Sequence, residues 1–125
     1  MKNDSLQVLN AIAQAIYDKK GVNILALDLR KFSTITDFVI IAEGNVDRHV
    51  IAIAQCVRDE LRKMGELTAH TEGMDSGDWV VLDYVQVMVH LFMPGMRDKY
   101  HLEDLWKEGE IVDLTINVSS YNTTT

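Results

Sequence analysis

The residues that could act as nucleophiles, general bases or metal ligands are few and scattered in this sequence. Cys56 is the single cysteine, which excludes an intramolecular disulfide and a cysteine-based zinc site. Asp75 and Asp78 could ligate a hard cation, but they lack the spacing of a calcium loop, so a solvated turn is the favoured interpretation. The chain also lacks a Gly-x-x-x-x-Gly-Lys phosphate loop and a Gly-x-Ser-x-Gly elbow. We therefore predict no catalytic residues, no metal and no cofactor.

Four sites can be interpreted in functional or in structural terms. The Gly44-Asn45 turn precedes a predicted helix, where backbone N–H groups could receive an anion, although a small residue there also has a purely geometric reason. His49 could orient this turn. His90 shares one face of a predicted strand with Met88 and Phe92, and a hydrogen-bonded core histidine is its favoured role. Cys56 is expected to be a buried, inert thiol.

The richest cluster of functional residue types follows Pro94. Between Arg97 and Trp106 a short predicted helix carries tyrosine, leucine and tryptophan among charged residues. Tyrosine, tryptophan and arginine dominate the hot spots of protein interfaces, where truncation of one costs roughly 2 kcal/mol or more. The alternative is that Leu102, Leu105 and Trp106 simply cover the sheet.

The elements that must position these residues are read from the hydrophobic pattern. Asp4 and Gln7 could form a capping box at the first helix, and Gly65 follows the longest helix as a stop signal. Two nearly continuous apolar runs are typical of strands buried on both faces. The pattern predicts helices over 5–19, 46–64 and 96–107, strands over 22–29, 37–42, 67–72, 79–83 and 85–92, and an edge segment over 111–114. This order indicates an α/β fold with a mixed β-sheet flanked by helices.

Length and charge limit the classes of function. The 125 residues fit one domain, expected over 1–118, with a disordered tail over 119–125. The longest apolar run is far shorter than the roughly 20 residues of a membrane span, and no export signal begins the chain, so we expect a cytoplasmic protein. Twelve basic and 19 acidic residues give a net charge of −7, and the excess acid lies after residue 65. This charge disfavours binding of the whole surface to nucleic-acid phosphates and suits either solubility or a basic partner.

Separate motifs over residues 5–107 agree in order and spacing with one known family. The sequence resembles the ribosomal silencing factors, also called the Iojap or RsfS family. In the first half the similarity lies in Thr36-Asp37-Phe38, Ile41-Ala42, Gly44, Arg48-His49-Val50 and Ala52-Ile53-Ala54. In the second half it lies in Glu72-Gly73, Asp78-Trp79-Val80-Val81-Leu82-Asp83, Val87-Met88-Val89-His90, Arg97, Tyr100, Leu102-Glu103 and Leu105-Trp106.

This resemblance implies a fold related to the nucleotidyltransferase superfamily, without its catalytic carboxylates. It implies a translation repressor that binds the fourteenth protein of the large ribosomal subunit and blocks joining of the small subunit under nutrient limitation. Organelle relatives imply the alternative of a large-subunit assembly factor. The contact surface carried over by the resemblance consists of Trp79, His90, Phe92, Arg97, Tyr100, Leu102, Glu103, Leu105 and Trp106.

The sequence departs from the family pattern at two turns. Val85-Gln86 stand where members usually carry Gly-Asp, which removes the residue that adopts a positive φ easily. Glu43 and Val46 stand where the family commonly has a small residue and a serine or threonine, and these changes make an anion role at Gly44 less favoured.

Three further expectations concern other classes of function. A nucleotidyltransferase-related enzyme is disfavoured, because no acid-x-acid strand follows the Gly44 turn to hold two magnesium ions. A minor contact with ribosomal RNA is a secondary expectation from the basic residues of the first half, which lack interleaved aromatic residues for stacking. An apolar face built for a partner predicts a homodimer when the protein is free.

Overall fold

The computed structural model describes residues 3–32, 35–96 and 109–116. The predicted helix over 96–107 and the predicted tail over 119–125 lie outside these residues, apart from Met96. The described elements, in chain order, are α1 Ser5–Asp18, β1 Val22–Asp28, β2 Phe38–Glu43, α2 Asp47–Lys63, β3 His70–Glu72, β4 Trp79–Asp83, β5 Val87–Phe92 and β6 Glu110–Ile111.

Both described helices form where local sequence signals place them. The side chain of Asp4 accepts a hydrogen bond from the Gln7 amide, and the Gln7 side chain accepts one from the Asp4 amide, so the predicted capping box is confirmed. The N-cap of α2 is Val46, whose side chain cannot cap, and Asp47 supplies the acid of the first turn. Arg62 and Lys63 lie in its last turn, where positive charge complements the helix dipole.

A mixed six-stranded sheet holds the molecule together in the order β3-β4-β5-β2-β1-β6. The pair β2–β5 is parallel, and the other four neighbouring pairs are antiparallel. The predicted α/β class with a mixed sheet flanked by helices is therefore confirmed. In the part of the chain that the structure describes, no helix is both long and apolar enough to cross a membrane.

The two faces of the sheet carry different side chains, because neighbours along a strand point to opposite faces. We call the face against α1 and α2 the helix face. Its strand residues pack with the helices into the larger core, and they include Phe38, Ile40, Val80, Val89 and Leu91. We call the opposite face the aromatic face. Its buried cluster consists of Leu27, Leu29, Val39, Ile41 and Phe92, with Trp79 and Met88 packed against it.

The predicted edge segment over 111–114 is observed as β6 Glu110–Ile111, and three other predicted strands also differ from those observed. The start of β1 is not buried on both faces, since Val22 is 45% exposed. The third strand begins at His70 rather than at residue 67, because β3 pairs only with the three residues Val81–Asp83. Leu67 lies before the strand and is 71% exposed. The last long strand begins at Val87 rather than at residue 85, because Val85 has a φ of 70° and turns the chain between β4 and β5.

Candidate functional site

The sheet register brings together the three described residues of the predicted contact surface. Trp79 is the first residue of β4, and its Cα partner on β5 is Phe92. His90 pairs with Val81, two residues beyond Trp79, so all three side chains lie on the aromatic face. The six other predicted contact residues lie outside the described residues: Arg97, Tyr100, Leu102, Glu103, Leu105 and Trp106.

The three rings form a connected cluster. The Trp79 indole N–H donates a hydrogen bond of 3.0 Å to Nδ1 of His90. The rings of Trp79 and Phe92 have centroids 5.4 Å apart at 32°, and those of His90 and Phe92 are stacked at 6.2 Å and 8°. Because Nδ1 accepts from an indole, which can only donate, the neutral imidazole carries its proton on Nε2.

Burial sets the charge state of His90. The side chain is only 5% exposed, and this desolvation lowers the pKa of His90 from 6.5 to about 4. The imidazole is therefore neutral near pH 7, and its Nδ1 accepts the hydrogen bond from the Trp79 indole. The expectation of a hydrogen-bonded core histidine is confirmed.

Exposure differs sharply within the cluster. Phe92 is fully buried and His90 nearly so, whereas Trp79 is only partly buried. Met93 and Met96, both partly buried, follow directly after β5. Trp79 is thus the member of the cluster with the most accessible side chain, and its contacts with His90 and Phe92 fix the position of its ring.

The Gly44 turn is closed by internal hydrogen bonds. The Gly44 amide donates to the carbonyl of Phe92 at 2.9 Å, and the Asn45 amide donates to Nδ1 of His49 at 2.8 Å. Nε2 of His49 lies 2.8 Å from the carbonyl of Lys19, at the end of α1, and donates to it because Nδ1 is an acceptor. A Cβ at Gly44 would lie 3.0 Å from the Val50 amide nitrogen. The turn therefore uses both amides structurally, and His49 orients it.

Cys56 lies on α2 against α1. Its thiol is 3.8 Å from the carbonyl of Ala15, and burial, with a contribution from Glu60, raises the pKa of the Cys56 thiol. The thiol is only partly rather than fully buried. Its raised pKa keeps it protonated and a poor nucleophile near pH 7. Within residues 3–32, 35–96 and 109–116, no group of three or more histidine, cysteine or acidic side chains is arranged to hold a metal ion.

The structure brings together one group of residues that the sequence did not indicate as neighbours. Arg58 and Arg62 of α2 line a pocket with Tyr84, a residue more than twenty positions later in the chain. The sequence placed the two arginines in a diffuse basic patch. The four-residue spacing on a helix was the available signal for their common face, but nothing local indicated Tyr84 as their neighbour.

Comparison with known proteins places this architecture in one family. The profile described as "Ribosomal silencing factor during starvation" matches residues 2–125. The ribosomal silencing factor RsfS of Bacillus subtilis is 36% identical over 112 residues, which covers 90% of this chain and 95% of that protein. A mouse protein named "Mitochondrial assembly of ribosomal large subunit protein 1" is 31% identical over 57% of this chain and 32% of its own length.

Solved structures agree with this assignment. A crystal structure of a protein from Chromobacterium violaceum superposes with a TM-score of 0.82 at 31% identity, covering 92% of this chain and 95% of that one. A crystal structure from Bacillus halodurans gives a TM-score of 0.78 at 32% identity. The sheet order, the aromatic cluster and these similarities lead to one conclusion: the chain belongs to the RsfS family of ribosomal silencing factors.

Proposed function

We propose that this protein represses translation by binding the large ribosomal subunit through its fourteenth protein and blocking joining of the small subunit. Family membership supports the ribosomal role, and nutrient limitation is the condition under which the repression would act. The observation that carries the proposal is the partly exposed Trp79, which is held at the aromatic face by its hydrogen bond to His90. The site is a protein-binding surface in the cytoplasm, formed by Trp79 together with the aromatic and charged residues between Arg97 and Trp106.

Fixing the Trp79 ring before binding favours affinity. An interface gains little from a large side chain that must first be ordered, since ordering costs about 0.5–1.5 kcal/mol for each flexible side chain. Trp79 avoids much of this cost because His90 and Phe92 hold its ring in the free protein. Tryptophan is also among the residue types most often found as interface hot spots.

Charge supports a basic protein as the partner. The residues after position 65 carry all of the excess acid of a chain whose net charge is −7, and they include Trp79 and the segment from Arg97 to Trp106. Complementary charge raises the association rate and selects among partners. RNA phosphates would be repelled by the same surface, so contact with ribosomal RNA is at most a minor part of the proposal.

The chain's path after Gly44 supports a non-catalytic role. Metal-dependent phosphoryl transfer needs carboxylates that hold the magnesium ions. In this protein the Gly44 turn leads directly into the 17 residues of α2, and its two amides are already hydrogen-bonded. We therefore include the absence of nucleotidyltransferase activity in the proposal, and nucleotide transfer with magnesium would contradict it.

Large-subunit assembly is the alternative function, favoured by the name of the mouse relative, which describes mitochondrial assembly of the ribosomal large subunit. Binding to the large subunit is common to both roles, so a binding assay alone does not separate them. A subunit-joining assay with mature purified subunits does. Repression predicts that added protein lowers the fraction of joined ribosomes, whereas a pure assembly factor leaves mature subunits free to join.

The contact surface is tested by co-sedimentation with purified large subunits. We expect Trp106→Ala and Tyr100→Ala each to weaken binding by about 2 kcal/mol, a loss of roughly thirtyfold in affinity. Tyr17→Ala is the matched control, because Tyr17 lies on α1, which packs on the helix face and so opposite the aromatic face. Unchanged binding by both C-terminal variants would assign Tyr100 and Trp106 to structure. A second measurement, the sedimentation of the free protein, tests the proposed homodimer.

A further inference from the structure

A pocket of about 230 Å³ lies between the end of α2 and the turn after β4. Its lining consists of Arg58, Arg62, Glu66, Leu67, Thr68 and Tyr84. It opens beside the C-terminal end of α2, the helix that packs with α1 on the helix face of the sheet. It shares no lining residue with the cluster of Trp79, His90 and Phe92, so it is a separate site.

Two arginines line this pocket, and among the described residues neither has a buried acidic partner. They are four residues apart on α2, which places both guanidinium groups on one side of the helix. Arg58 is partly buried and makes no ion pair or hydrogen bond through its side chain with the described residues. Arg62 lies 3.8 Å from Asp59, but both side chains of this pair are more than half exposed, so the pair contributes little.

Arg30, by contrast, has a carboxylate partner within the chain. Its guanidinium donates hydrogen bonds to both carboxylate oxygens of Asp28, at distances between 2.7 and 3.2 Å. Arg58 has no such carboxylate among the described residues, although burial of a charge without a partner is costly. Like charges four residues apart on a helix also destabilise it by a few tenths of a kcal/mol, roughly. An anion from outside the chain would offset both costs.

Tyr84 adds a neutral donor to the two charges. Its side chain is 5% exposed, and its hydroxyl makes no hydrogen bond to the described residues. Burial raises the pKa of Tyr84 to about 12, against the opposing effect of the Arg58 and Arg62 charges. The phenol therefore stays protonated near pH 7 and can donate. Thr68 lines the same pocket, and its hydroxyl oxygen lies 3.4 Å from that of Thr71.

Glu66 is the one acid among the described residues of the lining. Its Oε2 accepts a hydrogen bond from the Asn3 side chain at 3.1 Å, and its Oε1 lies 3.5 Å from the side-chain Nε2 of Gln86. Both oxygens therefore have amide donors of their own. The lining retains a net positive charge from two arginines and one glutamate, in a chain whose total charge is −7.

We propose that this pocket binds a phosphate group, with Arg58 and Arg62 as its charged donors and the Tyr84 hydroxyl as a third donor. A planar guanidinium presents paired N–H groups that match phosphate oxygens, and two of them with a hydroxyl form a donor set of the kind that selects a tetrahedral anion. The phosphate belongs either to a small phosphorylated molecule or to an RNA backbone. The site does not depend on the proposed translational function.

The test is a titration of the full-length protein with inorganic phosphate at constant ionic strength, followed by nitrogen-edited NMR of the arginine side chains. We expect saturable shifts at the Arg58 and Arg62 Nε–H resonances. Arg58→Gln should weaken binding about tenfold or more, since a charge-assisted hydrogen bond is worth about 1.5–3 kcal/mol. Glu66→Gln should tighten binding, because it removes the one negative charge of the lining.

Two controls make the result decisive. Arg48→Gln removes an exposed arginine from the other end of α2 and should bind phosphate as the unaltered protein does. Arg62→Gln, at a more exposed position, takes the place of Arg58→Gln if that variant fails to fold. Equal phosphate affinity of the unaltered protein and the pocket variants would overturn the proposal, as would an equal loss in Arg48→Gln.

A second titration, with a short single-stranded RNA oligonucleotide, distinguishes the two sources. Competition between the oligonucleotide and phosphate for the Arg58 resonance would assign the site to an RNA backbone. Saturation by phosphate with no effect of the oligonucleotide would assign it to a small phosphorylated molecule. If neither probe shifts the arginine resonances, the site does not exist.

Discussion

The two faces of the sheet are both buried at their centres, yet they are built from different chemistry. The helix face joins aliphatic strand residues to α1 and α2, and its members Val89 and Leu91 are fully buried. The aromatic face combines aliphatic residues with a hydrogen-bonded pair, Trp79 and His90. A buried imidazole loses hydration that an aliphatic side chain never had. The difference indicates that the helix face serves folding, while the aromatic face accepts a polar group in order to position a tryptophan.

The largest effect is expected from damage to the helix face. Leu91→Ala removes a fully buried side chain and leaves a cavity, so we expect a loss of about 4 kcal/mol in the free energy of unfolding. Urea denaturation measures this change. The folded fraction should still bind large subunits normally. A variant that unfolds no more easily than the unaltered protein would show that the two faces do not divide stability and binding in this way.

Acid should act on the aromatic face through His90. The pKa of His90 is about 4 when folded, below the ordinary 6.5, so the unfolded chain binds the extra proton between these values. The contribution of neutral His90 to stability is therefore complete above pH 6.5 and is lost as the pH drops, by about 3 kcal/mol near pH 4. Urea denaturation across this pH range measures the effect.

His90→Gln is the control for this pH dependence. A glutamine can accept a hydrogen bond but does not titrate, so its stability should vary less with pH than that of the unaltered protein. Groups common to both proteins, such as Asp28, whose pKa is lowered chiefly by its hydrogen bond to Arg30, cancel in the difference. Identical pH profiles for the two proteins would remove His90 as the cause.

Truncation of Trp79 should affect binding more than folding. We expect Trp79→Ala to weaken binding to large subunits by about 2 kcal/mol, or roughly thirtyfold, because it removes the partly exposed ring. Trp79→Phe is the matched variant, since it keeps a ring but loses the N–H that donates to His90. An intermediate loss in Trp79→Phe, measured by co-sedimentation, would show that holding the ring contributes to affinity. Full binding by Trp79→Ala would exclude Trp79 from the interface.

The smallest expected effect is a gain in stability from a residue on neither face. Val85 has a φ of 70°, which a β-branched residue adopts at a cost of about 1–2 kcal/mol. Val85→Gly should therefore raise the free energy of unfolding by about 1 kcal/mol without changing subunit binding. Gln86→Gly, at the next position, has no positive φ to relieve and should destabilise. A loss of stability in Val85→Gly would mean that the valine side chain contributes more than its backbone strain costs.

Local signals predicted the elements well where the sequence itself carries the cause. The capping box at Asp4 and the bounds of α2 depend on neighbouring residues, and both agree with the structure. The turn at Val85 does not follow from such signals, because nothing in a valine indicates a positive φ. The chain is turned there by the hairpin, in which the Tyr84 amide donates to the Val87 carbonyl and the Gln86 amide to the Tyr84 carbonyl.

The candidate site was predictable in its face but not in its contacts. Alternation along β5 placed His90 and Phe92 on one face, as the structure confirms. The hydrogen bond from Trp79 to His90 depends on the register between β4 and β5. The turn at Val85 sets this register, and the sequence did not predict the geometry of that turn. The pocket of Arg58 and Tyr84 requires the packing of α2 over the sheet, and periodicity within one helix carries no information about it.

The parallel pairing of β2 with β5 has a consequence for how the chain folds. These two central strands are separated by α2, β3 and β4, so β2 leaves one edge open until Val87–Phe92 have been synthesised. The contacts that close the sheet are therefore distant in sequence, which slows folding relative to a helical protein of this size. A nascent chain that stalls before Val87 would expose an apolar strand edge, and such edges recruit other chains. Once β5 has been synthesised and has paired with β2, the growing chain no longer exposes this apolar strand edge to aggregation.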